Sequence, residues 1–256
     1  MNGWLHVARS DAPLILAFPH GGSEIPVPFE VGLISRERAR EDTDWHIRPL
    51  YEGLADATRI WTDVSRTVID CNRDPDGASL YPGQATTELC PTTTFDGEPL
   101  YASGVVPDPV ERRDYFDRYH AAIAGEIVRL RACHERVVVF DCHSIRSVVP
   151  RLFDGELPEL NIGTDGGATC APELENAVVG ACAASGRSFV ANGRFRGGWT
   201  TRHYADPAGG VHAIQLEIAQ RAYLDEARPH AWRGDIADRL RPTLSHILQA
   251  CQDFAR

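Results

Sequence analysis

The sequence predicts an α/β protein: a single domain over residues 1–256, in which a mostly parallel, doubly wound mixed sheet is flanked by helices. Short apolar runs that end at turn residues alternate with longer helical runs, as in chains that form parallel sheets. The chain has 256 residues, 43% of them hydrophobic, and a domain of this size can bury one large core. No internal repeat, low-complexity tract or linker divides it.

The N-terminal part of the sequence predicts two strands and one helix. Residues 13–18 (PLILAF) are apolar and run into His20 and two glycines, which is typical of a buried strand that ends in a tight loop. A helix is expected over residues 45–58, where leucines recur on one face. Residues 67–70 (TVID) favour a second strand, which would deliver Asn72 to the end of the sheet.

The rest of the sequence predicts two long loops between regular elements. Residues 74–109 are rich in proline, glycine, threonine and aspartate, and such a long connection is usually a functional loop. Residues 190–199 contain several glycines and are also expected to form a loop. The regular elements are expected as helices over residues 110–132, 172–184 and 235–254, and as strands over residues 136–141 and 211–218.

The composition excludes several classes of function. The net charge is −10 and no basic block is present, so the chain lacks the charge that binds nucleic acid. No stretch approaches the roughly 20 apolar residues of a membrane helix, and the first residues do not resemble a signal peptide. The seven cysteines are scattered and include no Cys-x-x-Cys pair, unlike a disulfide framework. We therefore expect a cytoplasmic protein, either a monomer or a small homo-oligomer.

All positive side chains are arginines, because the sequence contains no lysine. This excludes Schiff-base chemistry, pyridoxal phosphate attachment and a P-loop. Arginine binds planar carboxylates well, so the basic residues suit a small acidic substrate. A genomic bias in base composition would produce the same absence.

Two histidines are candidate metal ligands. His20 and His143 each follow an apolar strand, and the carboxyl ends of parallel strands meet at one edge of the sheet, where ligands bind. Neutral imidazole is a common zinc ligand, and a catalytic zinc ion usually has a third protein ligand. Asp44 and Glu24 are the candidates for that position. The alternative is that the histidines are separate, hydrogen-bonded loop residues.

Several arginines occur in positions that suit a substrate carboxylate. Asn72 and Arg73 follow the predicted strand at 67–70. Asn72 offers an amide N–H donor, and the guanidinium of Arg73 can bind a carboxylate through two hydrogen bonds. The loop that begins at Asn192 is rich in glycine and arginine, so it concentrates positive charge in an acidic chain. A solvated loop would have a similar composition. The candidates in this region are Arg194, Arg196, Arg202 and His203.

Glu217 is a candidate general base. It alternates with Leu216 and Ile218 in the predicted strand 211–218, so it lies on the face opposite to those apolar side chains. A carboxylate in a buried strand is costly unless it is paired, and burial adjusts its pKa. The alternation is equally compatible with the solvent face of an edge strand.

With these groups, the sequence resembles the N-formylglutamate amidohydrolases. The similar stretches follow one another along nearly the whole chain: FPHGGSEIP (18–26), DTDWHIRPLY (42–51), SRTVIDCNR (65–73), YHAAI (119–123), VVFDCHSIRS (138–147), NIGTDGGATC (161–170) and NGRFRGGWTTRHYADPAGGVHAIQLEIAQRAYL (192–224). This family is similar in fold to zinc-dependent exopeptidases, a phosphorylase/hydrolase-like architecture. The resemblance implies one zinc ion held by His20, His143 and an acidic residue, with Asn72 and Arg73 binding a carboxylate and Glu217 as the general base.

The identity of the acidic ligand does not follow directly from the resemblance. The zinc carboxypeptidases space their first two ligands as His-x-x-Glu, whereas Glu24 lies one position too far from His20. We therefore expect Asp44 to be the third ligand.

The resemblance implies hydrolysis of N-formyl-L-glutamate to L-glutamate and formate, as in histidine degradation. Arg66 or Arg146 would help to stabilise the oxyanion, and the two substrate carboxylates would bind within the set Asn72, Arg73, Arg194, Arg196, Arg202 and His203. Two alternatives remain open. One is a related hydrolase that acts on another N-acyl or N-formyl amino acid, and the other is a non-catalytic sensor of an acidic metabolite.

Overall fold

Seven strands form one sheet in the part of the chain that the computed structural model describes, which is residues 3–79, 83 and 85–256. In sheet order they are β1, β3, β2, β4, β7, β5 and β6. Their bounds are β1 Leu5–Ala8, β2 Leu14–Phe18, β3 Thr58–Thr62, β4 Val137–Ile145, β5 Leu160–Gly163, β6 Phe189–Ala191 and β7 Val211–Ala219.

The four central strands are parallel to one another, and the flanking strands make the sheet mixed. Strands β3, β2, β4 and β7 run in one direction, whereas β1 is antiparallel to β3 and β5 is antiparallel to β7. Every residue of β2, β4 and β7 is buried, as expected for parallel strands that are covered on both faces. The predicted fold class is therefore confirmed.

Helices cover both faces of this sheet. Their bounds are α1 Ile47–Tyr51, α2 Pro109–Arg131, α3 Pro172–Ala184, α4 Trp199–Tyr204 and α5 Gly234–Ala255. Successive side chains of β2 point to opposite faces of the sheet, so they belong to two different hydrophobic clusters. Leu14 and Leu16 pack with α1, α3 and α5, while Ile15 and Ala17 pack with α2. Asp108 caps α2 by accepting a hydrogen bond from the backbone N–H of Val110.

Three sequence predictions about regular structure were wrong in detail. The helix expected over residues 45–58 contains only the five residues of α1, because Gly53 adopts a positive φ of 72° and the chain then enters β3. Residues 67–70 do not form a strand, since the chain turns there. The strand expected over residues 136–141 continues to Ile145, so His143 lies inside β4 and not after it.

The other expected elements agree with the structure. Helices α2, α3 and α5 and strands β2 and β7 lie within one residue or two of their predicted bounds. Residues 74–108 contain no helix or extended strand among those described, and residues 80–82 and 84 of this loop lie outside the described residues. None of the described helices combines the length and apolar character required to cross a membrane.

Candidate active site

Three buried side chains converge at the carboxyl edge of the central strands. His20 follows β2, Asp44 precedes α1, and His143 lies near the end of β4. The Nδ1 atoms of the two histidines are 3.1 Å apart. The Oδ2 atom of Asp44 is 3.5 Å from Nδ1 of His143 and 3.9 Å from Nδ1 of His20. The three potential ligand atoms therefore form a compact triangle.

This triangle fits a single metal ion. A tetrahedral ion with bonds of about 2.0–2.1 Å separates its ligand atoms by roughly 3.3 Å, which is close to the observed distances. The other carboxylate oxygen of Asp44, Oδ1, is buried without a hydrogen-bond partner and lies 3.5 Å from Nη1 of Arg66. The two Nδ1 atoms face each other at 3.1 Å and only one of them can carry a proton in this contact, so at least one is an unprotonated potential ligand. His20, Asp44 and His143 could thus bind a metal ion.

Glu24 does not belong to this group. Its side chain is exposed, and its backbone pairs with Val64 in an isolated bridge beside β3. Asp44, in contrast, is fully buried next to both histidines. Of the two acidic candidates, the structure brings only Asp44 to the histidines.

The outer nitrogen of His20 is held by a carboxylate. Its Nε2 atom is 2.7 Å from Oδ1 of Asp70, and Oδ2 of Asp70 accepts a hydrogen bond of 2.8 Å from Arg66. Burial raises the pKa of Asp70, but the charges of Arg73, His20 and Arg66 outweigh this and keep it well below its usual value. Burial and the charge of Arg66 lower the pKa of His20 to about 4, which favours the neutral, ligating form.

His143 forms an ion pair with a carboxylate of its own strand. Asp141 precedes it by two positions, so both side chains lie on one face of β4, with Oδ2 of Asp141 2.9 Å from Nε2 of His143. Burial opposes the charged imidazole, but Asp141 and Asp44 raise the pKa of His143 well above its usual value. Asp70 and Asp141 were not identified from the sequence. Asp141 could have been found from the sequence, because it is two positions before His143 in a predicted strand and therefore lies on the same face.

Glu217 lies on the strand next to His143. It is buried in the central strand β7, so it does not lie on the solvent face of an edge strand. Burial raises its pKa to about 7, against the lowering effect of the His143 charge. The Nε2 group of Gln215 donates a hydrogen bond of 3.3 Å to Oε2 of Glu217, while Oε1 of Gln215 accepts one from the backbone N–H of Gly198. The carboxylate is thus oriented by a neighbouring amide.

These groups share one cavity with several cationic side chains. The cavity is small, with a volume of about 60 Å³. Both histidines and Glu217 line it. Loops supply most of the remaining wall, including the side chains of Phe95, Asn72, Arg66, Arg73 and Arg194.

The three cavity arginines are held in different ways. Arg66 is buried between Asp70 and Asp44, and its guanidinium lies 4.8 Å from the centre of the Phe95 ring. Arg73 donates hydrogen bonds to the backbone and hydroxyl oxygens of Thr87. Arg194 donates to two backbone carbonyls from distant segments, those of Leu152 and Ala85. Loop contacts therefore fix the cations in the wall.

Four other predicted residues lie elsewhere. Arg146 pairs with Asp96 at 2.8 Å and with Asp42 at 3.4 Å. Arg202 pairs with Asp165 at 3.1 Å. Arg196 is exposed, and so is His203, whose ring stacks on Trp199. None of Arg146, Arg196, Arg202 and His203 is among the described residues that line the cavity.

The site contains the components of metal-assisted hydrolysis of an acidic substrate. These are a group of three potential metal ligands, an adjacent carboxylate with a raised pKa and nearby arginines.

Comparison with known proteins agrees with this chemistry. A protein-family model described as N-formylglutamate amidohydrolase matches residues 12–224. A protein from Pseudomonas aeruginosa named N-formylglutamate deformylase is 43% identical over 100% of this chain and 98% of its own length. One of the same name from Pseudomonas putida is 44% identical over 98% of this chain and 96% of its own length.

Solved structures share the fold. A crystal structure of N-formylglutamate amidohydrolase from Ralstonia eutropha matches with a TM-score of 0.81 and 22% identity, covering 99% of this chain and 98% of that one. A gene product from Agrobacterium tumefaciens matches with a TM-score of 0.71 and 19% identity, covering 99% and 96%. Because the family model spans most of the chain and the curated relatives are similar over its whole length, this protein belongs to the N-formylglutamate amidohydrolase family.

Proposed function

We propose that this protein is a zinc-dependent deformylase that hydrolyses N-formyl-L-glutamate to L-glutamate and formate, as a step of histidine degradation in the cytoplasm. The observation that carries the proposal is the position of Glu217 beside His143, in a cavity that also contains Arg73 and Arg194. The names of the full-length relatives support the choice of substrate.

His20, Asp44 and His143 would hold the zinc ion. Two imidazole nitrogens and one carboxylate are a common catalytic zinc set, which leaves a coordination position open. The chemistry that zinc supplies when bound is Lewis-acid polarisation of a carbonyl and a lowered pKa of water. Asp70 keeps the His20 imidazole in the required orientation by accepting from its outer nitrogen, and Asp141 places a carboxylate 2.9 Å from the outer nitrogen of His143.

Glu217 would move the proton. Its carboxylate accepts a proton from the water molecule that attacks the formyl carbon, and it then donates that proton to the nitrogen of the departing amine. The C–N bond breaks, and the products are formate and the free amino group of glutamate. A pKa that burial raises above its usual value suits both steps, because the group can be deprotonated before the attack and protonated after it.

Arginine and asparagine side chains would bind the two carboxylates of the substrate. Asn72, Arg73 and Arg194 are the members of the predicted binding set that line the cavity. Arg66 is also at the wall and next to Asp44, so it is the better of the two candidates for stabilising the oxyanion. Arg146 is directed to Asp42 and Asp96 instead.

Formate release from purified, zinc-loaded protein tests this function. N-formyl-L-glutamate is compared with N-formyl-L-aspartate, N-formimino-L-glutamate and N-acetyl-L-glutamate, and Glu217→Gln serves as the inactive control. We expect the highest kcat/KM with N-formyl-L-glutamate. A higher value with another acyl amino acid would assign the protein to that substrate, and binding without turnover of any of them would favour the sensor.

A further inference from the structure

His120 lies behind the cavity wall, on helix α2, in one of the segments that carries the family resemblance. Its ring is buried and does not line the cavity. Its Nε2 atom is 2.8 Å from the backbone oxygen of Cys71, and its Nδ1 atom is 3.0 Å from the hydroxyl of Tyr204. The ring therefore joins three segments of the chain: α2, the segment that contains Asn72, and α4.

The two contacts define where the ring proton is. A carbonyl oxygen can only accept, so Nε2 of His120 must carry the hydrogen that is donated to Cys71. Nδ1 is then unprotonated and lies 3.0 Å from the hydroxyl group of Tyr204, which also donates to the backbone oxygen of His120. Burial lowers the pKa of His120 to about 3, so the ring stays neutral and keeps this arrangement near neutral pH.

The residue next to Cys71 is Asn72, whose side chain is closely confined. Its Oδ1 atom accepts a hydrogen bond of 2.9 Å from the backbone N–H of Thr200, and its Nδ2 atom is 2.9 Å from Nε2 of His143. A Cβ atom added to Gly198 would be 2.2 Å from Nδ2 of Asn72, so the amide lies directly against that glycine. Because the side chain has no space to readjust, its position depends on the backbone of residues 71 and 72.

We propose that His120 is a positioning residue, whose Nε2–H group fixes the Cys71 carbonyl and thereby directs Asn72 and Arg73 toward a carboxylate of the substrate. This inference rests on the proposed function. His120 does not touch the substrate and acts through the backbone. Asp70, in the same segment, accepts a hydrogen bond from the backbone N–H of Asn72 at Oδ1, but its Oδ2 atom is also held by Arg66. We therefore expect the metal group to stay in place when the His120 contact is lost.

Two replacements of His120 test this role. His120→Phe keeps the aromatic packing with Phe116 and Trp199 but removes both ring nitrogens. His120→Gln places a carboxamide N–H group where it can reach the Cys71 carbonyl. Tyr204→Phe is the matched control, because it removes the hydroxyl group that contacts Nδ1 and the backbone oxygen of His120 and leaves the Nε2–H group intact.

We expect His120→Phe to raise the KM for N-formyl-L-glutamate and the Kd for L-glutamate roughly tenfold, the usual effect of one lost hydrogen bond, with little change in kcat. His120→Gln should restore most of the affinity, and Tyr204→Phe should retain it. Zinc content should remain stoichiometric in all variants. Unchanged KM in fully metallated His120→Phe would overturn the proposal, and so would His120→Gln with the same defect as His120→Phe.

The wild-type protein provides a second test that does not depend on the folding of a variant. Nitrogen-15 spectra of the histidine rings should show His120 neutral and protonated at Nε2, and a ring protonated at Nδ1 would overturn the proposal.

Turnover by the wild-type protein distinguishes failure of the proposed function from failure of the positioning role. Absence of formate release refutes the proposed function, whereas normal wild-type turnover with unaltered KM in His120→Phe refutes only the positioning role.

Discussion

His143 and Glu217 are direct register partners on the adjacent parallel strands β4 and β7. Neighbouring strands lie about 4.8 Å apart, so a candidate metal ligand and the candidate base are separated by a single strand spacing. Both strands are buried along their whole length, which makes this spacing rigid. The sheet therefore orients His143 and Glu217, whereas His20, Asp44 and the side chains that would contact the substrate lie in loops.

Replacing either histidine of the metal group should remove the metal. We expect His20→Ala and His143→Ala to contain far less zinc than the wild type after dialysis, because two ligands from the chain cannot retain it as three do. Elemental analysis of the purified proteins measures this. The exposed His246→Ala is the control, and stoichiometric zinc in both site variants would show that the assignment is wrong.

Asp44 and Glu24 should differ in their effect on metal affinity. Asp44→Ala removes a buried carboxylate oxygen from the triangle, whereas Glu24→Ala changes an exposed side chain. Competition with a chelator measures the metal affinity. Replacing a residue that only contacts a ligand lowers metal affinity about 10- to 100-fold, and the loss for Asp44→Ala should be larger. Normal affinity in Asp44→Ala together with loss in Glu24→Ala would reverse the assignment.

Glu217 should be required for turnover and not for binding. Glu217→Gln keeps the shape of the side chain and removes the proton acceptor, so kcat should fall by roughly 10²–10⁴-fold. The Kd for L-glutamate and the zinc content should change little. A fully metallated variant with nearly normal kcat would exclude this role.

The pH profile gives a control for the same residue. Glu217 accepts a proton only when it is ionised, so kcat/KM should decrease as the pH falls through the pKa of the group. Burial raises that pKa to about 7, and a cation held by the adjacent histidines would lower it, so the decrease is expected at or below pH 7. Loss of this acid limb in the residual activity of Glu217→Gln would identify the group.

The cavity arginines should affect substrate affinity more than an arginine outside it. A hydrogen bond to a charged group contributes about 1.5–3 kcal/mol, so Arg73→Ala and Arg194→Ala should each raise KM about 10- to 100-fold. Arg196→Ala is the matched control, because Arg196 belongs to the same glycine-rich loop as Arg194 and is exposed. An equal rise in KM for Arg196→Ala would indicate that Arg196 also binds the substrate.

His120 should make the fold less stable at acidic pH. Its pKa is about 3 in the folded protein, because of burial, and 6.5 is its ordinary value. The unfolded chain therefore takes up the proton first, so this contribution to the free energy of unfolding is present above pH 6.5 and is lost as the pH falls from 6.5 toward 3.

Urea denaturation between pH 7.5 and 5 measures this effect. Below pH 6.5 the wild type should lose up to about 1.4 kcal/mol per pH unit from this residue alone, and His120→Gln should lose correspondingly less. The exposed His246→Gln controls for the replacement of a histidine. Identical slopes for the wild type and His120→Gln would contradict the prediction.

The sequence predicted those parts of the site that depend on local pattern. His20 was found because an apolar run of β2 ends beside it, and Glu217 because it alternates with apolar residues in β7. The strand β3 was not predicted, and its first residue, Thr58, was placed at the end of the helix expected over residues 45–58. Its mixture of threonine, arginine and tryptophan has no continuous apolar run. Short strands such as β5 and β6 give an equally weak local signal.

The remaining features depend on contacts between distant segments. Asp70 meets His20 across 50 positions of sequence, and no local pattern encodes this contact. The arginines of the glycine-rich loop could not be distinguished, because Arg194 is directed into the cavity by the carbonyls of Leu152 and Ala85. Such directions become apparent only when the segments are assembled.

The cavity has a floor of strands and walls of loops. Groups that carry out the chemistry, His143 and Glu217, are anchored in the sheet, while Phe95, Leu152 and Arg194 reach the cavity from three separate loops. Exchange of residues in those loops alters which acid fits without moving the ligands or the base. The architecture thus allows substrate specificity to evolve independently of the catalytic groups. Substitutions in the wall loops can change which substrate is accepted, while His143 and Glu217 stay in place in the sheet.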